Sequence, residues 1–332
     1  MLKNRNITIC LMILLLFSTT FLYVSGCSEE SVAPSEEEQE ELDDEEEEVK
    51  EEEEEEEKEE KEEKVIIVEK VKPITVIINN HPSARPQSGM QEASIVYEFL
   101  VEGKYTRFLA VYDTLYTENY LIGPVRSLRP YFGVKAAEHG GIIAHSGYSN
   151  RTAEMIRGLG LEQIVCSTYL WRDSSRRAPH NLYTDIEKLH QAVGSDLEVT
   201  KSEITPEKVS LDSNKGNEIE VTYNSRNIVT YEYNDKKEAY LRFINNTPHK
   251  DRETEKQYHA SRVIIQKVPH RNVSGTDLVD IDLAGSGEGM LYEESKKYTI
   301  TWKKEDGKTN YYYRDGTPVE LEPGNTWIQI VR

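Results

Sequence analysis

The chain has 332 residues, 37 % of them hydrophobic, and a formal net charge of −20. That charge is local, because residues 29–70 carry 25 acidic and 5 basic side chains while residues 71–332 are nearly balanced at 35 against 33. About 260 residues suffice for one large core or two domains, the near-neutral balance excludes a body built to neutralise nucleic-acid phosphates, and three cysteines exclude a disulfide framework.

Residues 1–27 read as a lipoprotein signal peptide. Lys3 and Arg5 precede the apolar run "ITICLMILLLFSTTFLYV", and "VSGC" ends it with small residues directly before Cys27. In such a lipobox the cysteine thiol receives a diacylglycerol and becomes the mature N-terminus. Two or three acyl chains then hold the protein at the bilayer, where one would be marginal. The competing reading is an uncleaved membrane helix. Cys10 leaves with the signal and Cys27 is lipidated, so Cys166, in "EQIVCSTYL", remains alone and reads as a buried small residue.

Residues 28–64 are an acidic linker. The tract has only isolated aliphatics and no aromatic, so it cannot bury a core, and its glutamates outnumber lysines so heavily that i,i+4 pairs repel. It reads as an extended, self-repelling spacer of at most roughly 120 Å. The alternative is a docking tail for a basic partner or a cation sink.

Residues 65–200 read as a mixed α/β domain. "VIIVEKV", "ITVIIN", "ASIVYEFLVEG" and "RFLAVYD" have strand-like patterns. "YFGVKAAEH" predicts a short helix. "SNRTAEMIRGLG" predicts a second, capped by Ser149 and stopped at Gly158 or Gly160. "YTDIEKLHQAVG" predicts a third, capped by Asp185 or Thr184 and closed by Gly194. After a connector at 201–214, residues 215–332 alternate apolar and polar side chains between turn signals such as "NDKK", "EDGK" and "RDGT". They predict a β-rich, mostly antiparallel C-terminal domain, a curled half-barrel at the limit. "GSGEG" at 285–289 reads as a bulge or tight turn, and the tyrosines of "NYYYR" as sheet packing.

Long segments here, among them "INNHPSARPQSGMQEASIVYEFLVEGKYTRF", "IGPVRSLRPYF", "RAPHNLYTD", "DIDLAGSGEGMLY" and "PGNTWIQIV", resemble the YerB-like bacterial lipoproteins. The resemblance runs from Pro73 to the end. It implies a two-part extracytoplasmic region of unknown function, lipid-anchored and facing outward in a Gram-positive-type envelope. It supplies no catalytic residue to carry over, and the long acidic tract departs from it.

Three polar clusters follow strand-like runs, where α/β ligand sites gather. The first is Asn79, Asn80, His81, Arg85, Gln87 and Ser88. The second is Arg126, Ser127 and Arg129, near Arg107. The third is His145, Ser146, Tyr148 and Ser149. In "LIGPVRSLRPYFG" the prolines constrain the backbone, so the two arginines serve either as a clamp for an anion or as a brace paired with Glu98, Glu102 or Asp113, and the reading leans to the brace. The loop "SSRRAPHNLYTD" adds His180 beside Arg172, Arg176 and Arg177. Metal spacings, a Walker loop, a dinucleotide fingerprint and a G-x-S-x-G elbow are absent, so no cofactor or metal is expected and no catalytic residue is assigned. The candidate ligand-binding residues are Arg107, Arg126, Arg129, His81, Arg85, His145, Ser146 and His180. They fit a binding module for an anionic envelope ligand or a membrane-protein partner. The alternative is an envelope-polymer hydrolase or transferase using His145, His180 and a carboxylate.

Overall fold

Eleven strands form the central sheet of the protein. They are seen in a computed structural model that describes residues 66–165, 167–194, 199–204, 213–321 and 324–332, all of them within one compact unit. Cys27, the acidic tract and Cys166 lie outside the described residues. Across the sheet the order runs Lys296–Glu305, Ser286–Glu293, Arg262–Lys267, Thr326–Val331, Ile95–Leu100, Thr106–Tyr112, Ile74–Asn79, Ile142–Ala144 and Glu162–Ile164. Asn214–Lys215 and Lys308–Tyr313 both pair with Lys296–Glu305. The last strand, Thr326–Val331, lies parallel between Arg262–Lys267 and Ile95–Leu100, so a strand from the C-terminal part pairs with one from the N-terminal part in the middle of one sheet.

The central strands of this sheet are buried on both faces, which explains why they are nearly continuous apolar runs. The period of two sends neighbours to opposite sides. Ile74, Val76, Ile78, Phe108, Ala110, Tyr112 and Trp327 share one core with Val221, Val229, Tyr231 and Tyr240 of a second, five-stranded sheet. Ile77, Leu109, Val111, Ile328 and Ile330 share the other with Tyr131, Phe132 and Ala136 of helix α1 (Pro130–Glu138). The layers are therefore sheet, sheet and helix.

The second and third helices begin where their caps predict. The Ser149 side chain accepts the Thr152 N–H at the start of α2 (Asn150–Ile156), and Asp185 accepts the Lys188 N–H at the start of α3 (Ile186–Val193), which Gly194 closes at φ 87°. No helix among the described residues is long and apolar enough to cross a membrane.

Strand outweighs helix more heavily than the interleaved sequence pattern implies, and the protein is mostly β with several sheets. The expected single antiparallel sheet for 215–332 is divided: strands between 218 and 260 build the five-stranded sheet, whereas 262–267 and 286–331 extend the central one. "GSGEG" is also more than a turn. Gly285 turns at φ 77°, but Gly287 and Gly289 lie inside a strand, where an added Cβ would meet Trp302 Nε1 at 2.7 Å and the Ile265 carbonyl at 2.8 Å. Those glycines exist for close approach.

Candidate functional site

The residues of the first two clusters converge at one end of the 74–79 and 106–112 strands. Asn79 ends its strand and His81 caps a single 3₁₀ turn, Pro82–Ala84. The next segment runs back alongside, with the Arg126 N–H donating to the Ile77 carbonyl at 2.8 Å and the Ser146 N–H donating to the Arg126 carbonyl at 3.1 Å. The loop before α3 brings His180 over His81. Their rings stack with centroids 4.6 Å apart and planes 17° apart, and the exposed Tyr105 ring lies against His81 at 4.5 Å.

The arginines divide into two kinds. Arg107 donates to the Ser127 carbonyl at 2.7 Å and to Glu102 Oε1, and Arg129 donates through Nε to Glu102 Oε2 at 3.0 Å and through Nη2 to Oε1. Burial alone pushes Glu102 up, but Arg107 and Arg129 outweigh it and hold the carboxyl below its usual range. Burial, then the Arg129 charge, draw Arg107 down to about 10 against the pull of Glu102. These two arginines are a brace.

Arg126 is not part of it. Its half-buried guanidinium makes no hydrogen bond or ion pair with any described residue. Around it are His81, His180, Arg129 and Arg172, with Glu102 the carboxylate whose charge reaches it. Arg85 is half-committed, donating to Asn80 Oδ1 at 2.9 Å and the Asn80 carbonyl at 3.0 Å. Arg176 grips the Ala84 and Pro86 carbonyls, each at 2.8 Å, and so fastens the His180 loop to the His81 turn.

The expected partners Glu98 and Asp113 are engaged elsewhere. Asp113 pairs with Lys70 at 3.1 Å. Glu98 is fully buried and pairs with the equally buried Arg242 of the second sheet at 2.6 Å, a contact between residues 144 apart in sequence that no local pattern announces.

His145 and Ser146 stand a little apart. His145 accepts the Gly147 N–H on Nδ1 at 3.0 Å, which leaves its Nε2–H for Gln163 Oε1 at 3.1 Å, so both ring nitrogens are engaged within the fold. Ser146 Oγ meets Ser127 Oγ at 3.3 Å at the edge of a cleft of about 510 Å³ that also reaches Arg129, Tyr148 and Arg151. Arg151 is held there by Asp280 at 2.7 Å. Gln87 and Ser88 turn inward, Gln87 to the Asn79 carbonyl at 2.9 Å and Ser88 to Glu253 at 3.1 Å. The sequence reading missed Tyr105, whose only signal was an aromatic directly after "EGK" at a strand start. No group of three or more metal-ligating side chains occurs among the described residues.

The two parts of the chain match a two-part family. Residues 58–199 match the "Protein of unknown function (DUF3048) N-terminal domain" and residues 219–328 the corresponding C-terminal domain. The chain belongs to that family, as the resemblance to YerB-like lipoproteins implied. It is 32 % identical over 279 residues to "Putative lipoprotein YerB" of Bacillus subtilis (strain 168), covering 80 % of this chain and 82 % of the relative. The crystal structure of YerB protein from Bacillus subtilis superposes with a TM-score of 0.67 at 33 % identity, covering 79 % of this chain and 91 % of that one.

Proposed function

We propose that the protein is a lipid-anchored, outward-facing binding module of the cell envelope whose head takes an anionic ligand at Arg126, His81 and His180. The unpaired Arg126 guanidinium carries this reading. Burial draws the Arg126 charge partly out of water, and Glu102, the carboxylate whose charge reaches it, is already shared by two other arginines. The segment holding it is fixed by backbone hydrogen bonds on both sides, so little conformational entropy is lost when a ligand arrives. Anchoring through Cys27 and the acidic spacer rest on the sequence and on the lipoprotein name of the relative. The spacer holds the head away from a surface that is itself anionic.

An enzyme of envelope polymers using His145 and His180 has less support. His145 is engaged on both nitrogens, and His180 takes an amide, Asn79, where an acid–base pair would have a carboxylate.

The test is thermal unfolding of the full chain in detergent against a panel of anions, beside Arg126→Gln. A ligand at a hundred times its dissociation constant adds about 2.7 kcal/mol of stability. The expected result is a shift in the parent protein that Arg126→Gln loses while melting normally without ligand. A shift retained in full by the variant would move the site elsewhere, and no shift with any anion would overturn the reading.

A further inference from the structure

The hydrogen-bond partners of the two stacked imidazoles fix which nitrogen of each carries its proton. Asn79 is buried, and its Oδ1 accepts the backbone N–H of His81 at 3.1 Å. That sets the orientation of the amide, so it is Nδ2 that meets His180 Nδ1 at 2.7 Å. An amide nitrogen can only donate, so Nδ1 of His180 accepts and the proton of the neutral ring sits on Nε2. The Ser83 N–H donates to His81 Nδ1 at 3.1 Å and imposes the same tautomer. Protonating either ring would set an N–H against an N–H. Burial, followed by the charge of Arg85 for His81 and by His81 and Arg126 for His180, lowers both imidazoles below their ordinary value.

We propose that Arg126, His81 and His180 form a donor-only site for the phosphoryl group of a phosphate monoester. This rests on the anion-binding reading above and narrows it. The three side chains offer the guanidinium N–H groups and two imidazole Nε2–H groups, all of them donors. A cation meets like charge at Arg126 and no free lone pair on the two rings. A metal ion finds each Nδ1 lone pair already taken and each Nε2 carrying a proton. A carboxylate gripped by the guanidinium fork keeps its remaining lone pairs in the plane of that fork, so it accepts from the imidazole donors only where they lie in that plane. A phosphate monoester carries about −1.5 to −2 charges and three tetrahedrally disposed oxygens, so it engages the fork and still presents an oxygen to the rings. Arg85, Arg172 and Arg176 reach the same three residues with their charge, which favours a dianion over a monoanion.

The site also makes a prediction about proton uptake. The rings donate as neutral groups, so affinity follows ionisation of the ligand: it rises as pH increases through the second phosphate pKa near 6 and then levels off. A site working through imidazolium would weaken over the same interval.

The experiment uses the full chain in detergent with ¹⁵N-labelled histidine, titrated with glycerol 3-phosphate and, separately, with malonate as a dicarboxylate of similar charge. Nitrogen resonances of His81 and His180 report the tautomer directly, and ³¹P shifts report the ligand. The expected result is an Nε2–H tautomer for both rings, movement of both Nε2 signals with glycerol 3-phosphate, and malonate binding weaker by about tenfold. Arg126→Lys, which keeps the charge and loses the fork, should weaken the phosphate by about tenfold with the tautomers unchanged. Vesicles containing phosphatidic acid, run against phosphatidylcholine alone, distinguish a lipid-borne monoester from a soluble one. Equal binding of malonate and glycerol 3-phosphate would overturn the phosphoryl assignment and leave the anion site standing. Phosphate binding that leaves both rings unmoved would overturn the participation of the histidines. Failure of both anions to bind would remove the anion reading itself.

Discussion

Asn79 and Asn80 are neighbours in the chain, and they serve two clusters made of the same residue types with opposite surroundings. Asn80 turns inward and donates to Glu98 at 3.1 Å and to Thr106 at 2.7 Å. There, between the two sheets, Arg242 is matched by Glu98, donates to Tyr231 and to His249 Nδ1 at 3.0 Å, and lies over the Trp327 ring at 4.5 Å. His249 in turn gives its Nε2–H to Gln87 at 2.7 Å. The Asn79 amide, itself buried, reaches instead to a stacked His pair, near which stands an arginine with no carboxylate of its own. Sealed charges must be satisfied within the fold because nothing else can reach them. An open arginine left unmatched at the surface of a rigid frame is free for something the chain does not contain. The contrast teaches that the residue types say little here, and that their partners say nearly everything.

The largest effect should come from breaking the sealed cluster. Glu98→Gln leaves Arg242 buried without a counter-charge and is expected to cost roughly 3–5 kcal/mol in urea unfolding. Replacing Glu98 and Arg242 together with methionine should recover much of that loss, because the desolvated charge is then gone too. A Glu98→Gln protein of parent stability would mean that the pair is not sealed.

Acid should erode the same cluster. Burial first, then the charges of Arg242 and Arg85, hold His249 well below its ordinary pKa, so the folded protein keeps it neutral while the unfolded chain protonates it below about 6.5. The unfolded state then binds more protons, and stability falls as pH drops from about 6.5 toward the depressed folded value. Unfolding free energy measured from pH 8 to pH 5 should be level above about 7 and decline below it. The other lowered imidazoles, among them His145 and His270, add to the same limb.

The brace lies between the two extremes. Glu102→Gln removes the carboxylate from Arg107 and Arg129, and its 30 % side-chain exposure reduces the cost to roughly 1–2 kcal/mol. Because its carboxyl is held low in the fold, this contribution is present above about pH 4.3 and fades as pH falls through the depressed value. The smallest stability effect should be that of Arg126→Gln, within about 0.5 kcal/mol, accompanied by complete loss of anion-induced stabilisation. A variant that instead melts as low as Glu102→Gln would assign Arg126 to the brace and abolish the comparison.

Local order in this protein was written in local sequence. Ser149 and Asp185 cap their helices and Gly194 closes the third because capping involves residues three or four apart. The strands around Ile74–Asn79 and Thr106–Tyr112 were legible from β-branched, apolar runs. That the first two polar clusters gather at one sheet end was legible as well, since both follow strand-like runs.

Partnership was decided only by the tertiary structure. Nothing in the period of the sequence says that 326–331 pairs with 95–98, that 215–332 divides between two sheets, or that Glu98 meets a residue 144 positions away. Strand pairing and ion pairing are non-local, and a one-residue change of register would send every side chain to the other face. The clamp-or-brace question over Arg126 and Arg129 shows the reason in miniature. Two arginines three residues apart on one segment have the same chemistry, and only the position of Glu102 makes one of them structure and leaves the other open.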